Sequence, residues 1–154
     1  MPKEQMMRPD TRLSRMLHVL IHMQHHEGTA TSDAIATMLG TNPVVVRRTM
    51  AGLRDQGYVR SEKGHGGGWL LARPLEEITL LDIHKALGAP QLFAIGLAGD
   101  NPSCTVEQAV NVSLAEAMNE AERILLAKFG KVTLAELAEG AAKASTRKLT
   151  MEHV

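Results

Sequence analysis

The run TNPVVVRRTMAGLRDQGYVRSEKGHGGGWLLARP, residues 41–74, decides the fold. Asn42 can cap the first free amides of a helix, and Pro43 suits the first helical position, where an N–H has no intrahelical partner. Val46, Met50 and Leu53 then recur at helical spacing, with Val45 and Thr49 beside them, so one face is apolar. Gly57 stops the helix because it takes a left-handed conformation without steric cost. Tyr58–Ser61 and Trp69–Ala72 are strand candidates, joined by Lys63-Gly64-His65-Gly66-Gly67-Gly68. A helix followed at once by a glycine-tipped hairpin is the outline of a winged helix-turn-helix. The stretch therefore predicts a module that reads DNA.

Charge points the same way. Residues 41–74 carry six basic side chains (Arg47, Arg48, Arg54, Arg60, Lys63, Arg73) against Asp55 and Glu62, a surplus of four. Residues 1–40 balance, and residues 75–154 hold seven basic against eleven acidic side chains. The net charge of zero thus hides a segregated dipole. A local basic patch is what phosphate binding needs, since each neutralised phosphate releases condensed counterions. A merely solvated arginine face is the other reading of charge alone, and the coincidence with the helix and hairpin disfavours it.

Upstream, residues 1–10 read as a loose polar arm. From Thr11 the pattern turns helical, with Leu13, Met16, Leu17, Leu20 and Ile21 as its apolar face. His18, His22 and His26 share a stripe at four-residue spacing. Two histidines one turn apart can grip a metal, but no cysteine lies nearby and the next carboxylate is Glu27 at the helix end, so no metal site is expected. Gly28 ends this helix. Thr31 or Ser32 caps a short second one, in which Ile35, Ala36 and Leu39 face inward, and Gly40-Thr41 turns into the Asn42 helix. Two short helices around a glycine-containing turn make the helix-turn-helix proper.

With 154 residues the chain can bury a real core, built from aliphatic side chains because aromatics make up only 3%. No apolar run approaches a membrane span, MPKEQMMRPD has no apolar signal segment, and one cysteine excludes an internal disulfide. A reducing cytoplasm without membrane contact is the expected setting. No catalytic triad signature or phosphate-cradling motif is present, so no enzyme is expected.

The run TSDAIATMLGTNPVVVRRTMAGLRDQGYVRSEKGHGGGWLLARPLEEITLLDIHKAL resembles the Rrf2 family of bacterial transcription regulators, in particular its cysteine-poor, YwnA-like branch. NPVVVRR, LRDQGYVRS, G-x-GGGW-x-L-A-R-P and EEITLLDI, in unbroken order, carry the resemblance, which spans roughly Leu13 to Leu137. It implies a mainly α fold with a small β-hairpin wing, and a homodimer built by a long C-terminal helix. The best-known relatives hold a [2Fe–2S] cluster through three cysteines. Only Cys104, matching the last of these in NPSCTVEQ, is present here, so no cofactor is expected. Those relatives also place an acidic residue where this chain has Arg47, and that changes the expected base partner from cytosine to guanine.

Roles follow by position. Asn42, Val44, Val45, Arg47 and Arg48 lie in the first turns of the recognition helix, the part that enters a major groove. Arg54, late in that helix, suits a phosphate. Lys63, where relatives place a wing arginine, and His65 at the tip suit the minor groove or its rim, while Gly64 and Gly66 allow close backbone approach.

Past Pro74, Thr79 sets up a helix over Leu80–Leu87, closed by Gly88, with Leu81, Ile83 and Leu87 as contacts. The expected domain is residues 11–88. Residues 89–104 form a linker or sensor loop, where Leu92, Phe93, Ile95 and Leu97 suggest a short helix or a pocket lining. Residues 105–139 supply dimerisation helices. In the first of these, Thr105–Phe129, Val106, Val110, Leu114, Ala117, Ala121, Ile124 and Leu125 form a stripe; a helix buried within the subunit is the alternative. Residues 140–154 read as a frayed tail. Cys104, just before the long helix, is the candidate redox sensor. The whole predicts a homodimeric, sequence-specific DNA-binding repressor for a pseudo-palindromic operator, responsive to an oxidant or small molecule. The alternative is a winged-helix module that binds protein and no DNA.

Overall fold

The computed structural model describes residues 8–25 and 28–151. Helix α1 (Arg12–His25) is followed by α2 (Ser32–Leu39) and α3 (Pro43–Asp55), then by strands β1 (Val59–Glu62) and β2 (Gly68–Leu71). A 3-10 turn (Leu75–Glu77) leads into α4 (Leu80–Ala86), the long α5 (Thr105–Phe129) and α6 (Leu134–Met151). The mainly helical architecture with one antiparallel hairpin is as the sequence indicates.

Local chemistry sets the boundaries. Thr31 Oγ1 accepts from the Ala34 amide at 3.1 Å and starts α2. Gly40, in the left-handed region, ends it. Gly57 N–H donates to the Arg54 carbonyl at 2.9 Å and Tyr58 N–H to the Leu53 carbonyl at 3.0 Å, which turns the chain from α3 into the hairpin. The strands pair Val59 with Leu71 and Glu62 with Gly68, one residue off the expected spans.

Val46, Met50 and Leu53 of α3 are buried together with Ile35 and Ala36 of α2, so the predicted inner faces of the two helices meet one core. Helix α1 turns the expected face inward but buries a wider arc than the spacing suggests. Met16, Val19, Leu20 and Met23 are buried, whereas Leu13, Leu17 and Ile21 are half-buried. The reason is that α1 touches α4, α6 and β2, so partners on several sides widen its apolar arc beyond the single stripe that spacing suggests. His18 and His22 are exposed, their rings edge to face at 4.7 Å, and His26 lies outside the described residues.

A reciprocal capping box opens α4. Thr79 Oγ1 accepts from Asp82 N–H at 3.1 Å, and Asp82 Oδ2 accepts from Thr79 N–H at 2.9 Å. Thr79→Ala is expected to cost about 1 kcal/mol in denaturant unfolding, with Thr79→Ser recovering most of it. An unchanged midpoint would assign the start of α4 to something else. The start of α6 is stitched to the same place, because Leu134 N–H donates to the Ile78 carbonyl at 2.8 Å and Leu80 N–H to the Val132 carbonyl at 3.0 Å. Leu134 is fully buried there.

Downstream of α4 the short-helix alternative fails and the pocket-lining one holds in part: residues 89–103 contain no helix, Leu92 and Phe93 are half-buried and line a cavity, and Ile95 and Leu97 are exposed. Helix α6 does not fray at residue 140 but continues to Met151. The Ala-rich run AAKASTRK has high helix propensity and no breaker, so the helix propagates once Leu134 has anchored it. Helix α5 buries none of its residues within the subunit, which excludes the alternative of an intramolecular core helix.

Candidate nucleic-acid interface

Helix α3 presents its outer face to solvent. Asn42 Oδ1 accepts from Val45 N–H at 3.1 Å, and this cap fixes the helix's first turn. Val44 and Val45 are 57% and 45% exposed, a costly position for aliphatic side chains unless something covers them. Arg47 and Arg48 are exposed next to them. Neighbouring helix positions point about 100° apart, so the two guanidiniums sweep a wide sector in front of the helix. Arg54 lies two turns beyond Arg47 and is also exposed. Its Nη2 is 3.5 Å from Asp55 Oδ1, a long surface pair that leaves its charge available.

The hairpin tip, Lys63 to Gly66, is exposed throughout. Its base is not a simple two-stranded ribbon. Ala30, in the α1–α2 connection, adds a bridge to β2: Trp69 N–H donates to the Ala30 carbonyl at 2.8 Å and Ala30 N–H to the Trp69 carbonyl at 3.0 Å. The Trp69 indole N–H donates to Ser32 Oγ at 3.0 Å, and Thr29 Oγ1 donates to the Gly66 carbonyl. These contacts tie the wing to the start of α2. Sequence reading did not connect Thr29, Ala30 or Ser32 with the wing, and placed Ser32 only as a cap candidate; the one available signal was the need of a buried indole N–H for an acceptor.

The tie explains one wing glycine, Gly68, and the hairpin's own backbone explains another, Gly67. A Cβ on Gly68 would stand 2.7 Å from the Ala30 carbonyl oxygen, and one on Gly67 would stand 2.5 Å from the Glu62 carbonyl oxygen. Both positions are occupied by backbone that cannot move aside cheaply. Behind the hairpin, the Arg73 guanidinium lies over the Tyr58 ring, 5.4 Å from its centroid. Arg73 thus engages the Tyr58 ring just past the end of α3.

Cys104 occupies the N-cap position of α5 and is exposed. The amides of Glu107 and Val106 face its sulfur without closing a cap hydrogen bond, and they hold the thiol below its ordinary value. It is the only cysteine of the chain. Among the described residues no three His, Cys, Asp or Glu side chains come together as a metal-binding group. A [2Fe–2S] centre ordinarily takes four protein ligands, so this donor set does not fit one. Among the same residues no helix is long and apolar enough to cross a membrane.

Comparison with known proteins agrees with this geometry. The family model described as "Rrf2: Iron-dependent Transcriptional regulator" matches residues 10–140. The chain is 32% identical over 117 residues to YwnA of Bacillus subtilis, named as an HTH-type transcriptional regulator, covering 75% of this chain and 86% of that protein. Among solved structures, a transcriptional regulator from Lactobacillus plantarum superposes with a TM-score of 0.73 at 20% identity, covering 93% of this chain and 97% of its own. IscR of T. potens does so at 0.64 and 22% identity, covering 90% and 91%. The chain belongs to the Rrf2 family and is a winged-helix transcriptional regulator rather than an enzyme.

Proposed function

We propose that the protein is a homodimeric repressor that reads a pseudo-palindromic operator with the two α3 helices of the dimer. The observation that carries this reading is the capped, solvent-facing first half of α3, with Val44, Val45, Arg47 and Arg48 exposed over a buried inner face. In the major groove Arg47 or Arg48 makes a forked pair with guanine N7 and O6 while the other meets a phosphate, and Val44 or Val45 covers a thymine methyl. Asn42 at the helix entrance reaches the backbone or a base edge. Lys63 and His65 lie at the minor groove or its rim, where Gly64 and Gly66 bring main chain near phosphate. Arg54 clamps a phosphate further along.

The dimer is supported by α5, whose Val106 and Ile124 are 68% and 67% exposed on a helix that buries nothing in its own subunit. Two-fold pairing of such stripes sets two recognition helices about one DNA turn apart. Cys104 supports a redox response, since the lowered pKa at a helix start raises the share of the reactive thiolate, and the second subunit of the dimer carries its counterpart. The 89–104 segment is the second place for a signal to enter.

Selection of bound sequences from random DNA, with and without oxidant, tests the whole reading. Arg47→Ala is expected to relax base preference at one position of each half-site, by about 1–3 kcal/mol of lost discrimination. Arg54→Ala is expected to weaken all sequences alike and to reduce the salt slope by about one. Uniform weakening by both Arg47→Ala and Arg48→Ala, or no sequence preference in the wild type, refutes the assignment.

A further inference from the structure

A cavity of about 660 Å³ opens where the chain entering α1 meets the segment after α4. Its walls include Leu13, Leu92 and Phe93, with Arg8, Asp10 and Arg12 at one side and His84 of α4 behind. The volume lies in the range that encloses a small organic molecule. Arg12 is already committed: its Nη2 donates to Asp10 Oδ2 at 2.8 Å and its Nε to Asp10 Oδ1 at 3.1 Å. Arg8 has no ion-pair partner among the described residues, so the cavity carries one uncompensated guanidinium beside apolar walls.

The cavity also has a mechanical address. Leu13 belongs to the first turn of α1 and packs against the hydrophobic core that supports α3. His84 is buried, and its ring meets Phe129, in the last turn of α5, edge to face at 6.1 Å. An occupant therefore touches the DNA-reading body and the element next to the long helix at once. Cys104 does not line this space, so it is distinct from the redox position.

We propose that this cavity is the effector site and takes an aromatic or branched-aliphatic carboxylate, its anionic end on Arg8 and its body between Leu13, Leu92 and Phe93. Binding stands on the cavity alone; only its consequence for DNA rests on the regulator reading. A ligand bridging α1 and the segment beside α5 changes operator affinity when it fits the DNA-bound and free arrangements unequally.

The test uses the full chain with 8-anilinonaphthalene-1-sulfonate as a fluorescent organic anion. One probe is expected to bind per subunit, displaced by 3-phenylpropionate and at least tenfold less well by the neutral 3-phenylpropionamide. Leu92→Glu, which puts a carboxylate into the walls, is expected to abolish binding, and Arg8→Gln to weaken it about tenfold. Because Leu92 sits in an irregular segment, circular dichroism should be unchanged; if Leu92→Glu unfolds the protein, Arg8→Gln carries the test. Equal displacement by acid and amide, or probe binding indifferent to Arg8→Gln, overturns the proposal. So does probe binding that vanishes as protein concentration rises, since a second copy of the chain then fills the space. On the same samples, 3-phenylpropionate is expected to shift operator affinity at least fivefold in the wild type and not in Leu92→Glu. Operator binding without probe binding sinks the effector site and leaves the regulator reading standing; probe binding without operator binding does the reverse.

Discussion

Replacing Trp69 with alanine is expected to lower the unfolding free energy by about 3–5 kcal/mol and to unseat the wing. Trp69 is only 7% exposed and is the largest side chain of β2. Its removal deletes apolar contacts and also the indole hydrogen bond to Ser32. The Ser32 hydroxyl is half-buried, so losing its partner adds to the cavity cost. Trp69→Phe keeps most of the volume and is expected to cost far less in stability. A double-mutant cycle of Trp69→Phe with Ser32→Ala isolates the hydrogen bond, with a coupling of about 1 kcal/mol expected. Denaturant unfolding gives the energies, and operator binding by the folded fraction reports the wing. Trp69→Ala protein that stays folded and binds DNA with unchanged affinity would dissociate the hairpin from recognition.

The contrast between α3 and Trp69 shows where the sequence is legible. Asn42, Pro43 and the Val46, Met50, Leu53 triplet act within one helix, so spacing and residue type suffice to place α3 and say which side faces out. Trp69 is held by residues 37 and 39 positions earlier, and no local pattern announces a partner at that distance. The same limit accounts for α1. Its apolar face was expected as one stripe, and Val19 and Met23 proved buried because α4, α6 and β2 converge on it. The continuation of α6 past residue 140 was readable in principle from its alanines, but polar composition suggested a tail. The cavity beside Leu92 and Phe93 was legible as one of two alternatives, a pocket lining, but its other walls were not, since they come from the chain before α1 and from α4.

Ile124→Glu is the second substitution with a large expected effect. Because Ile124 is exposed in the subunit, the charge should leave the fold and its circular dichroism intact. In a paired assembly it would be buried opposite its counterpart, and an unpaired buried charge costs about 3–5 kcal/mol. Sedimentation should show the particle mass halved, and operator affinity should fall at least 100-fold at nanomolar protein, since a single half-site contact remains. Val110→Glu, on the same stripe, should behave alike. A variant that keeps the doubled mass would remove α5 from the interface, and a wild type that sediments as a single chain would remove the interface itself.

In the proposed dimer, a long helix with no fully buried residue of its own makes dilution a variable of the molecule. When its apolar stripe is covered only by another copy, cover is lost as copy number falls, and melting temperature climbs with the logarithm of protein concentration. Occupancy of a target then rises more steeply than in proportion to the amount of regulator made. A modest change in synthesis could therefore switch a promoter that no change in intrinsic affinity has touched.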